Sequence, residues 1–337
     1  MNHVLILIIT ERLIIMKAKI QSLIIIILLV STTIIFLIIP KDIMDSVSFS
    51  ISIWKDSLIP SLFPFFMMSE LLIQYGFIEL IGELSKNIMS KFFHLPGEAS
   101  FVLIGSLISG FPSSSKYINE LLEHNQINEE EASYLLKFNH FSNPLFVIGT
   151  VGTLLLNNKN IGILILLVHI LSNFIISIIY RPRANKYKKE KISIIAAINK
   201  MHKKRINNNS SFSEILSKSI FKTSTTLLLL LGIITTFIII NTILKQILNL
   251  DLLTSAILSG FLEMTGGIKN ISNINIPLNI KASIIIFFLS FGGLSIHMQV
   301  MSILSNTNIK YFPYLISRLV HGLISSGIIY VLLSFII

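Results

Sequence analysis

Two short stretches of the chain carry residues whose types and spacing suit the binding of a small solute. Each contains the tripeptide Ser-Gly-Phe within an apolar run, first at residues 109–111 and again at residues 259–261. Small, polar and helix-disrupting residues follow both copies, so each run is expected to break into helix ends with free backbone groups. Because a helix N-terminus presents unpaired N–H groups and partial positive charge, it favours an anionic ligand.

The candidate binding residues supply hydroxyls, amides, one ammonium and one carboxylate. Lys116 would add a cation to the first break, while Glu263 is an acid within an apolar segment. An ionisable group inside a membrane costs several kcal/mol unless it faces a cavity or a partner. The residues that we predict to bind the solute are Ser109, Gly110, Phe111, Pro112, Ser113, Lys116, Asn143, Pro144, Ser259, Gly260, Glu263, Thr265, Gly266 and Gln299.

Several of these residues also have other interpretations. Lys116 can extend its ammonium to the membrane interface as a marker of topology. Glu263 can bind a coupling cation, pair with a base such as Lys116 or Arg318, or cap a broken helix. Asn143 and Gln299 can serve as hydrogen-bonding groups between helices. The residue types therefore indicate a polar site but leave the role of each side chain open.

No catalytic or metal-binding arrangement is recognisable in the sequence. The chain has no Cys, which excludes disulfides, thiolate metal ligands and cysteine nucleophiles. His140, His169, His297 and His321 lack the spacing of metal-binding motifs, and the serines near Gly110 do not form a nucleophile elbow. We therefore expect no enzyme, no cofactor and no metal site.

The surroundings of the two Ser-Gly-Phe copies repeat as well. Ser109 precedes Phe141 by 32 residues, and Ser259 precedes Phe291 by the same separation. Interrupted apolar segments at corresponding places in two halves of a chain are typical of transporters with inverted repeats and a binding site between them. The spacing predicts two such repeats whose broken, re-entrant helices meet.

The elements that position these residues are expected to lie in a membrane. Hydrophobic residues form 53% of the chain and charged residues 13%, with a mean hydropathy of +0.78. Several runs with almost no charge reach the roughly 20 residues that a spanning helix needs. Backbone polar groups in a membrane must be satisfied internally, and the alternation of barrel strands is absent. We therefore predict an all-α polytopic membrane protein.

The net charge of +10 is concentrated in one segment. Residues 181–222 contain 12 of the 27 basic residues, whereas Glu190 and Glu214 are their only acids. A basic loop between spans is typical of the cytoplasmic side, and it can also attract anionic lipids or a partner. No aromatic interleaving supports base stacking, so we expect membrane lipids and no nucleic acid as partners.

The pattern divides the chain into four regions. We predict an N-terminal extension with the first transmembrane helix at residues 1–49, a first repeat at 50–181, a basic cytoplasmic linker at 182–212 and a second repeat at 213–337. About seven spans and two re-entrant hairpins would place the linker inside and invert the halves. The predicted spans cover residues 20–39, 57–75, 139–157, 161–180, 221–248, 280–304 and 311–337.

Two local patterns predict how helices begin or break. Pro60 and Pro64 remove two backbone donors from one helical face, which predicts either a kinked span or a break that contributes to the pathway. Asn128 precedes three consecutive glutamates, the pattern of a helix cap. Because consecutive acids point around a helix, we interpret this cluster as a capping box and not as a metal site.

At these residues the chain resembles the YlbJ (SpoVV) family of sporulation integral membrane proteins, within the nucleoside-recognition (Gate) domain superfamily. The matching features run in order over about residues 50–320. Ser114 departs from the pattern, because the family usually has Gly there. The features are Pro60-Ser61-Leu62-Phe63-Pro64-Phe65, Ser109-Gly110-Phe111-Pro112 with Lys116, Glu130-Glu131-Ala132 leading to Asn143-Pro144-Leu145-Phe146, Gly260-Phe261-Leu262-Glu263-Met264-Thr265-Gly266, and Gly293-Leu294-Ser295-Ile296-His297-Met298-Gln299-Val300 followed by Arg318.

The resemblance implies two Gate-type repeats and a transporter in an endospore former. It further implies that dipicolinic acid, a small planar dianion, is moved across the outer forespore membrane toward the forespore. Our own hypothesis for the mechanism is alternating access, in which the two halves rock around the broken hairpins. The alternatives are a Gate-family transporter of a nucleoside or an ion, and a sporulation membrane scaffold that transports nothing. The expected partners include a second copy of the chain or other sporulation membrane proteins.

Overall fold

The described part of the chain is helical throughout its regular secondary structure, which confirms the predicted all-α fold. The structure is a computed structural model that describes residues 2–189 and 191–336, with the side chains of residues 16, 19–56, 58–60, 62–189 and 191–335. Met1, Glu190 and Ile337 lie outside the described residues. The α-helices are α1 (Asn2–Ile38), α2 (Pro40–Ile53), α3 (Ile59–Gln74), α4 (Phe77–Phe93), α5 (Ser100–Ser109), α6 (Ser113–Glu123), α7 (Glu129–Phe138), α8 (Lys159–Ile179), α9 (Ile194–Asn207), α10 (Phe212–Leu248), α11 (Leu252–Leu262), α12 (Met264–Ser272), α13 (Leu278–Phe291), α14 (Gly293–Ile303) and α15 (Tyr311–Ile336).

Within the described residues, five apolar segments are long enough to cross a membrane, so the protein is polytopic. They are Lys19–Ile38, Lys159–Ile179, Phe212–Leu248, Leu278–Ile303 and Tyr311–Phe335. A bent pair of helices raises the possible number to six, since α3 and α4 meet at 85°. The predicted first span and the apolar extension before it form one continuous helix, α1. The predicted total of about seven spans stays a prediction.

Two long helical segments run antiparallel and connect the two halves of the chain. Ser46 Oγ lies 2.8 Å from Thr242 Oγ1 near one end, and Trp54 Nε1 donates to the Leu227 carbonyl over 2.8 Å farther along. The chain does not break at Pro60, because the π-helical turn Trp54–Leu58 joins α2 directly to α3. A turn of wider hydrogen-bond spacing just before a proline accommodates the missing donor.

The first Ser-Gly-Phe stretch folds back on itself as a helical hairpin. Helices α5 and α6 contain 10 and 11 residues, or about 15 Å each, roughly half of a hydrocarbon core. The rings of Phe101 and Tyr117 lie 5.0 Å apart across the hairpin. Because these two residues lie on opposite arms, the arms must pack against each other and the turn between them forms a tip.

The second stretch forms a tighter hairpin from α11 and α12. A Cβ atom on Gly267 would lie 2.1 Å from the Gly260 Cα, so only two glycines allow this approach of the helices. Asn270 Nδ2 lies 3.4 Å from the Ser259 hydroxyl, one turn farther from the tip. Both stretches therefore turn back, as the predicted re-entrant segments would, and Glu263 occupies the second tip.

The two hairpins enter the molecule from opposite ends of α10. The base of the first hairpin adjoins the linker, since Glu98 lines a cleft together with Lys186 and Tyr187. The base of the second hairpin follows Asp251, just after the other end of α10. Opposite entry is what inverted repeats require, and the inversion of the whole repeats stays a prediction.

The basic linker is held to the first half by polar contacts. It contains helix α9, whose Lys200 pairs with Glu83 over 2.6 Å. The Tyr187 hydroxyl donates to the Glu131 carboxylate. Burial raises the pKa of this hydroxyl and the neighbouring Glu131 raises it further, so Tyr187 remains a donor at neutral pH. The predicted capping box is also confirmed, because Asn128 and Glu131 exchange hydrogen bonds of 3.0 Å.

The span predicted at residues 280–304 is present as the candidate span Leu278–Ile303, whereas the span predicted at residues 139–157 stays a prediction. Both segments contain a break in the helix. Helix α7 ends at Phe138, residues 139–143 are not helical, and a π-helix follows at Phe146–Leu155. Pro144 disfavours helical geometry at the residue before it, which explains where the first interruption ends. The second segment breaks between α13 and α14 at Gly292, which has a left-handed backbone.

Candidate functional site

The chain has four breaks that face one another in the interior: residues 110–112, residues 139–143, Glu263 and Gly292. At the first, the Phe111 ring stacks on the His140 imidazole with centroids 4.7 Å apart. Gly110 has φ of +81°, and a Cβ atom there would lie 2.4 Å from the Asn143 nitrogen. Only glycine fits this turn, so the first and second breaks are in direct contact.

The contact continues into the second half. A Cβ atom on Gly292 would lie 2.8 Å from His140 Nε2. On the next residue, Gly293, a Cβ atom would lie 3.1 Å from the Met264 nitrogen and 3.2 Å from the Gly260 carbonyl oxygen. The two hairpin tips and the two broken segments thus form one continuous set of contacts. The free backbone groups of the four breaks therefore lie together in the interior, where lipid offers no hydrogen-bond partners.

A small cavity, here called the central cavity, lies between the two tips. Its volume is about 50 Å³, room for only one or two water molecules. Phe111 and Asn143 line it from the first half, and Met264 and Thr265 from the second; the other lining residues are Ile53, Leu58, Leu62 and Phe146. The structure therefore brings together Phe111, Asn143 and Thr265 from among the predicted binding residues.

Asn143 fixes the geometry of the second break. Its Oδ1 atom accepts from the backbone nitrogens of Leu145 and Phe146 at 2.8 and 3.3 Å. Its Nδ2 atom donates to the Ser109 carbonyl over 3.2 Å. One amide therefore accepts from the first backbone nitrogens of the helical segment that begins at Pro144 and ties this segment to the end of α5.

The N-terminus of α6 carries three buried serines. Ser113 donates to the Gly110 carbonyl, and Ser115 donates to the Pro112 carbonyl over 2.7 Å. The Ser109 hydroxyl donates to the Gly105 carbonyl over 2.6 Å. These hydroxyls reinforce the tip, and the Ser114 hydroxyl is buried with no hydrogen-bond partner among the described residues.

Glu263 caps α12, one of the three roles that its sequence position allowed. Its carboxylate accepts from the nitrogens of Thr265 and Gly266 at 3.0 and 2.7 Å. A carboxylate at this end of a helix is stabilised by the partial positive charge there. The N-terminus of α12 is therefore already occupied by the carboxyl group of Glu263, which leaves the first tip as the freer of the two for a solute anion.

Lys116 belongs to a cluster of charges below the first tip. Its ammonium lies 3.0 Å from Glu70 and 4.6 Å from the centre of the Phe66 ring. Lys222 bridges the other oxygen of Glu70 at 3.3 Å and Glu120 at 2.5 Å. The four charges sum to zero, so this ammonium is neutralised in the structure. The role of Lys116 in binding stays a prediction.

Three further predicted residues do not line the central cavity. Ser259 is buried in α11 and donates to the Ser255 carbonyl over 2.7 Å. Gln299 donates to the Ser295 hydroxyl over 3.2 Å within α14. Gly266 faces a different, larger cavity, which Glu263 also lines. Their binding roles also stay predictions.

Sequence reasoning missed Glu70 and undervalued the buried polar residues of α15. Glu70 is 2% exposed, and it is an acid in an apolar run just as Glu263 is, so the same argument could have found it. Arg318 is fully buried and donates to the Lys137 carbonyl at the end of α7. This contact places a cation at a helix C-terminus, where it is stabilised.

Comparison with known proteins identifies one relative by name. A protein of Bacillus subtilis (strain 168), "Sporulation integral membrane protein YlbJ", is 32% identical over 308 residues, which cover 84% of this chain and 76% of that protein. No protein-family model matches the chain, and no solved structure does. The chain therefore belongs to the family of the sporulation integral membrane protein YlbJ.

Proposed function

We propose that the protein transports a small organic anion, dipicolinate, toward the forespore across its outer membrane. The observation that carries this proposal is the meeting of four broken segments from two halves around the central cavity. Irregular backbone at membrane depth is tolerated where it is buried in protein or lines a cavity, and transporters use it to bind solutes. The proposal includes no catalytic step and no cofactor.

The chemistry of the first tip favours an anion with a planar ring. Helix α6 directs its N-terminus toward the tip, and the unpartnered hydroxyl of Ser114 lies in its first turn. Backbone N–H groups and hydroxyls at such an end can donate to a carboxylate. Phe111 provides an aromatic face beside them, which suits a flat ring.

The central cavity is too small for the solute in this structure, so transport requires movement of the tips. Pockets that hold small molecules usually measure about 300–1,000 Å³, several times the 50 Å³ found here. Each hairpin is attached at its base and can shift its tip by bending there. Alternating access then follows if the first tip opens toward the linker side and the second toward the other side.

Uptake of labelled dipicolinate into liposomes that contain the purified protein tests this function. We expect saturable uptake that falls at least tenfold in Phe111→Ala and in Thr265→Val, because both side chains line the central cavity. Thr236→Val is the matched control, since Thr236 is an exposed threonine on α10. Its uptake should equal that of the wild type.

Two other outcomes would contradict the proposal. Absence of uptake by folded protein would favour the alternative role as a membrane scaffold, which does not depend on the side chains of the central cavity. Stronger competition by nucleosides than by unlabelled dipicolinate would favour a nucleoside transporter. Imaging of a fluorescent fusion in sporulating cells tests the location, and signal confined to the mother-cell membrane would contradict transport into the forespore.

A further inference from the structure

A second, larger cavity opens on the side of the molecule away from the linker. This polar cavity has a volume of about 320 Å³, enough for a small organic molecule. It lies beside the last turns of α10 and reaches the tip of the second hairpin at Glu263. Its lining residues are Asp42, Asp45, Ser46, Phe49, Ile238, Asn241, Thr242, Lys245, Glu263, Gly266, Lys269 and Asn270.

Two ammonium groups in this cavity have no ion-pair partner among the side chains that the structure describes. Among the described side chains, no carboxylate lies within 4.0 Å of the nitrogen of Lys245 or Lys269. Lys269 instead lies over the Phe49 ring, 5.3 Å from its centre. Lys245 is half-buried and also lines an adjoining cavity of about 180 Å³. Both cations are therefore available to a solute.

The carboxylates of the cavity do not cancel these charges directly. Glu263 is held by the N-terminus of α12, and Asp42 accepts from Gln246 at 3.3 Å. Asp45 is exposed at the rim. No group of three acidic or histidine residues that could hold a metal ion exists within the part of the chain that the structure describes. The cavity is lined by three carboxylates and two ammonium groups, and since none of the three lies within ion-pair distance of either ammonium, both ammonium groups can contact an anion.

We infer that the polar cavity is the entry site for the dicarboxylate, with Lys245 and Lys269 each neutralising one carboxylate. The inference rests on the proposed function and adds two residues to it. Asn241 and Asn270 carry amide groups that can donate to the same ligand, and Phe49 offers an aromatic edge. Two cations in one cavity favour a dianion over an anion with one charge.

The first turn of α12 separates the entry site from the central cavity. Glu263 and Gly266 face the polar cavity, whereas Met264 and Thr265 face the central cavity. One helical turn is therefore the wall between the two spaces. Movement of this tip would connect them, which makes the second hairpin the gate on the side away from the linker.

Uptake and binding measured on the same variants test the entry site. We expect Lys245→Ala and Lys269→Ala each to raise the half-saturating dipicolinate concentration about tenfold, and the double variant about a hundredfold, with the maximal rate kept. Lys159→Ala is the control, because Lys159 is an exposed lysine at the start of α8 and outside the cavity. In the double variant, the apparent affinity for picolinate, which has one carboxylate, should rise relative to that for dipicolinate.

The outcomes separate this inference from the proposed function. Unchanged half-saturation in both single variants would overturn the entry site and leave transport intact. Calorimetric binding that the lysine variants lose, without any uptake, would support the site and contradict transport. If the wild type shows neither binding nor uptake of dipicolinate, both the entry site and the proposed function are overturned. An effect seen only in liposomes with phosphatidylglycerol, and not in phosphatidylcholine alone, would assign the lysines to lipid phosphate and overturn the solute site.

Discussion

Removal of the Glu70 charge should destabilise the protein, and a second substitution should restore most of the loss. Glu70 is the only carboxylate within 4.0 Å of Lys116 among the described residues, whereas Lys222 also contacts Glu120. The side chain of Lys116 is 6% exposed and that of Lys222 is 43% exposed. Glu70→Gln therefore leaves one buried ammonium without a counter-ion, while Lys222 can turn to solvent.

The magnitude follows from the burial of Lys116. Breaking a buried ion pair by removing one partner costs about 3–5 kcal/mol, whereas replacing both partners by neutral groups is often close to neutral. Because Gln keeps a polar group beside the ammonium, we expect Glu70→Gln to lower the free energy of unfolding by about 3 kcal/mol, the lower end of this range. Lys116→Met should cost less, since Glu70 retains Lys222. Glu70→Gln combined with Lys116→Met should resemble Lys116→Met alone.

The assay is unfolding by SDS from mild detergent, followed by tryptophan fluorescence. Trp54 is the single tryptophan of the chain, and its indole donates to the Leu227 carbonyl on α10. Separation of the long antiparallel helices will therefore change its emission. A double-mutant cycle then gives the coupling between the two residues. Wild-type stability of Glu70→Gln, or losses that simply add in the double variant, would refute the reasoning.

Three further predictions concern the cap, the first tip and the long helices. Asn128→Ala should lower the free energy of unfolding by about 1 kcal/mol without changing uptake; an unchanged SDS midpoint would contradict the capping role. Gly110→Ala should abolish uptake, because its Cβ atom would collide with Asn143; uptake at the wild-type rate would show that the tip is looser than described. Ser46→Cys with Thr242→Cys should form a disulfide under mild oxidation, detected on non-reducing gels without background because the chain has no native Cys; the single variants must show none.

Patterns that act within a few residues predicted local structure well. The cap at Asn128 and the turns after the two Ser-Gly-Phe copies follow from local backbone chemistry, and both are present. The membrane class followed from hydropathy, which depends only on composition along the chain. Family membership followed from several motifs in order, of which Glu263 and its neighbours are one.

Features that depend on distant partners were not predictable in the same way. The break at Gly292 lies within an apolar run, and its reason is the approach of His140 from the other half. Pro60 and Pro64 left a kinked span and a break as alternatives, and the π-helical turn before them, which keeps the helix continuous, was not predictable from the prolines alone. Lys116 seemed free for a ligand because Glu70 lies 46 residues earlier in the sequence and its pairing requires the fold.

The antiparallel pairing of α2 and α3 with α10 has a consequence for biogenesis. The first half enters the membrane before α10 has been synthesised, so Glu70 and the break at residues 139–143 initially lack their partners Lys222 and Gly292 from the second half. Completion of the fold must wait for the last helices, and the early intermediate holds polar groups that a chaperone or the insertion machinery has to shield. The two halves, expressed as separate polypeptides cut in the linker, should assemble only when both are present in the same membrane.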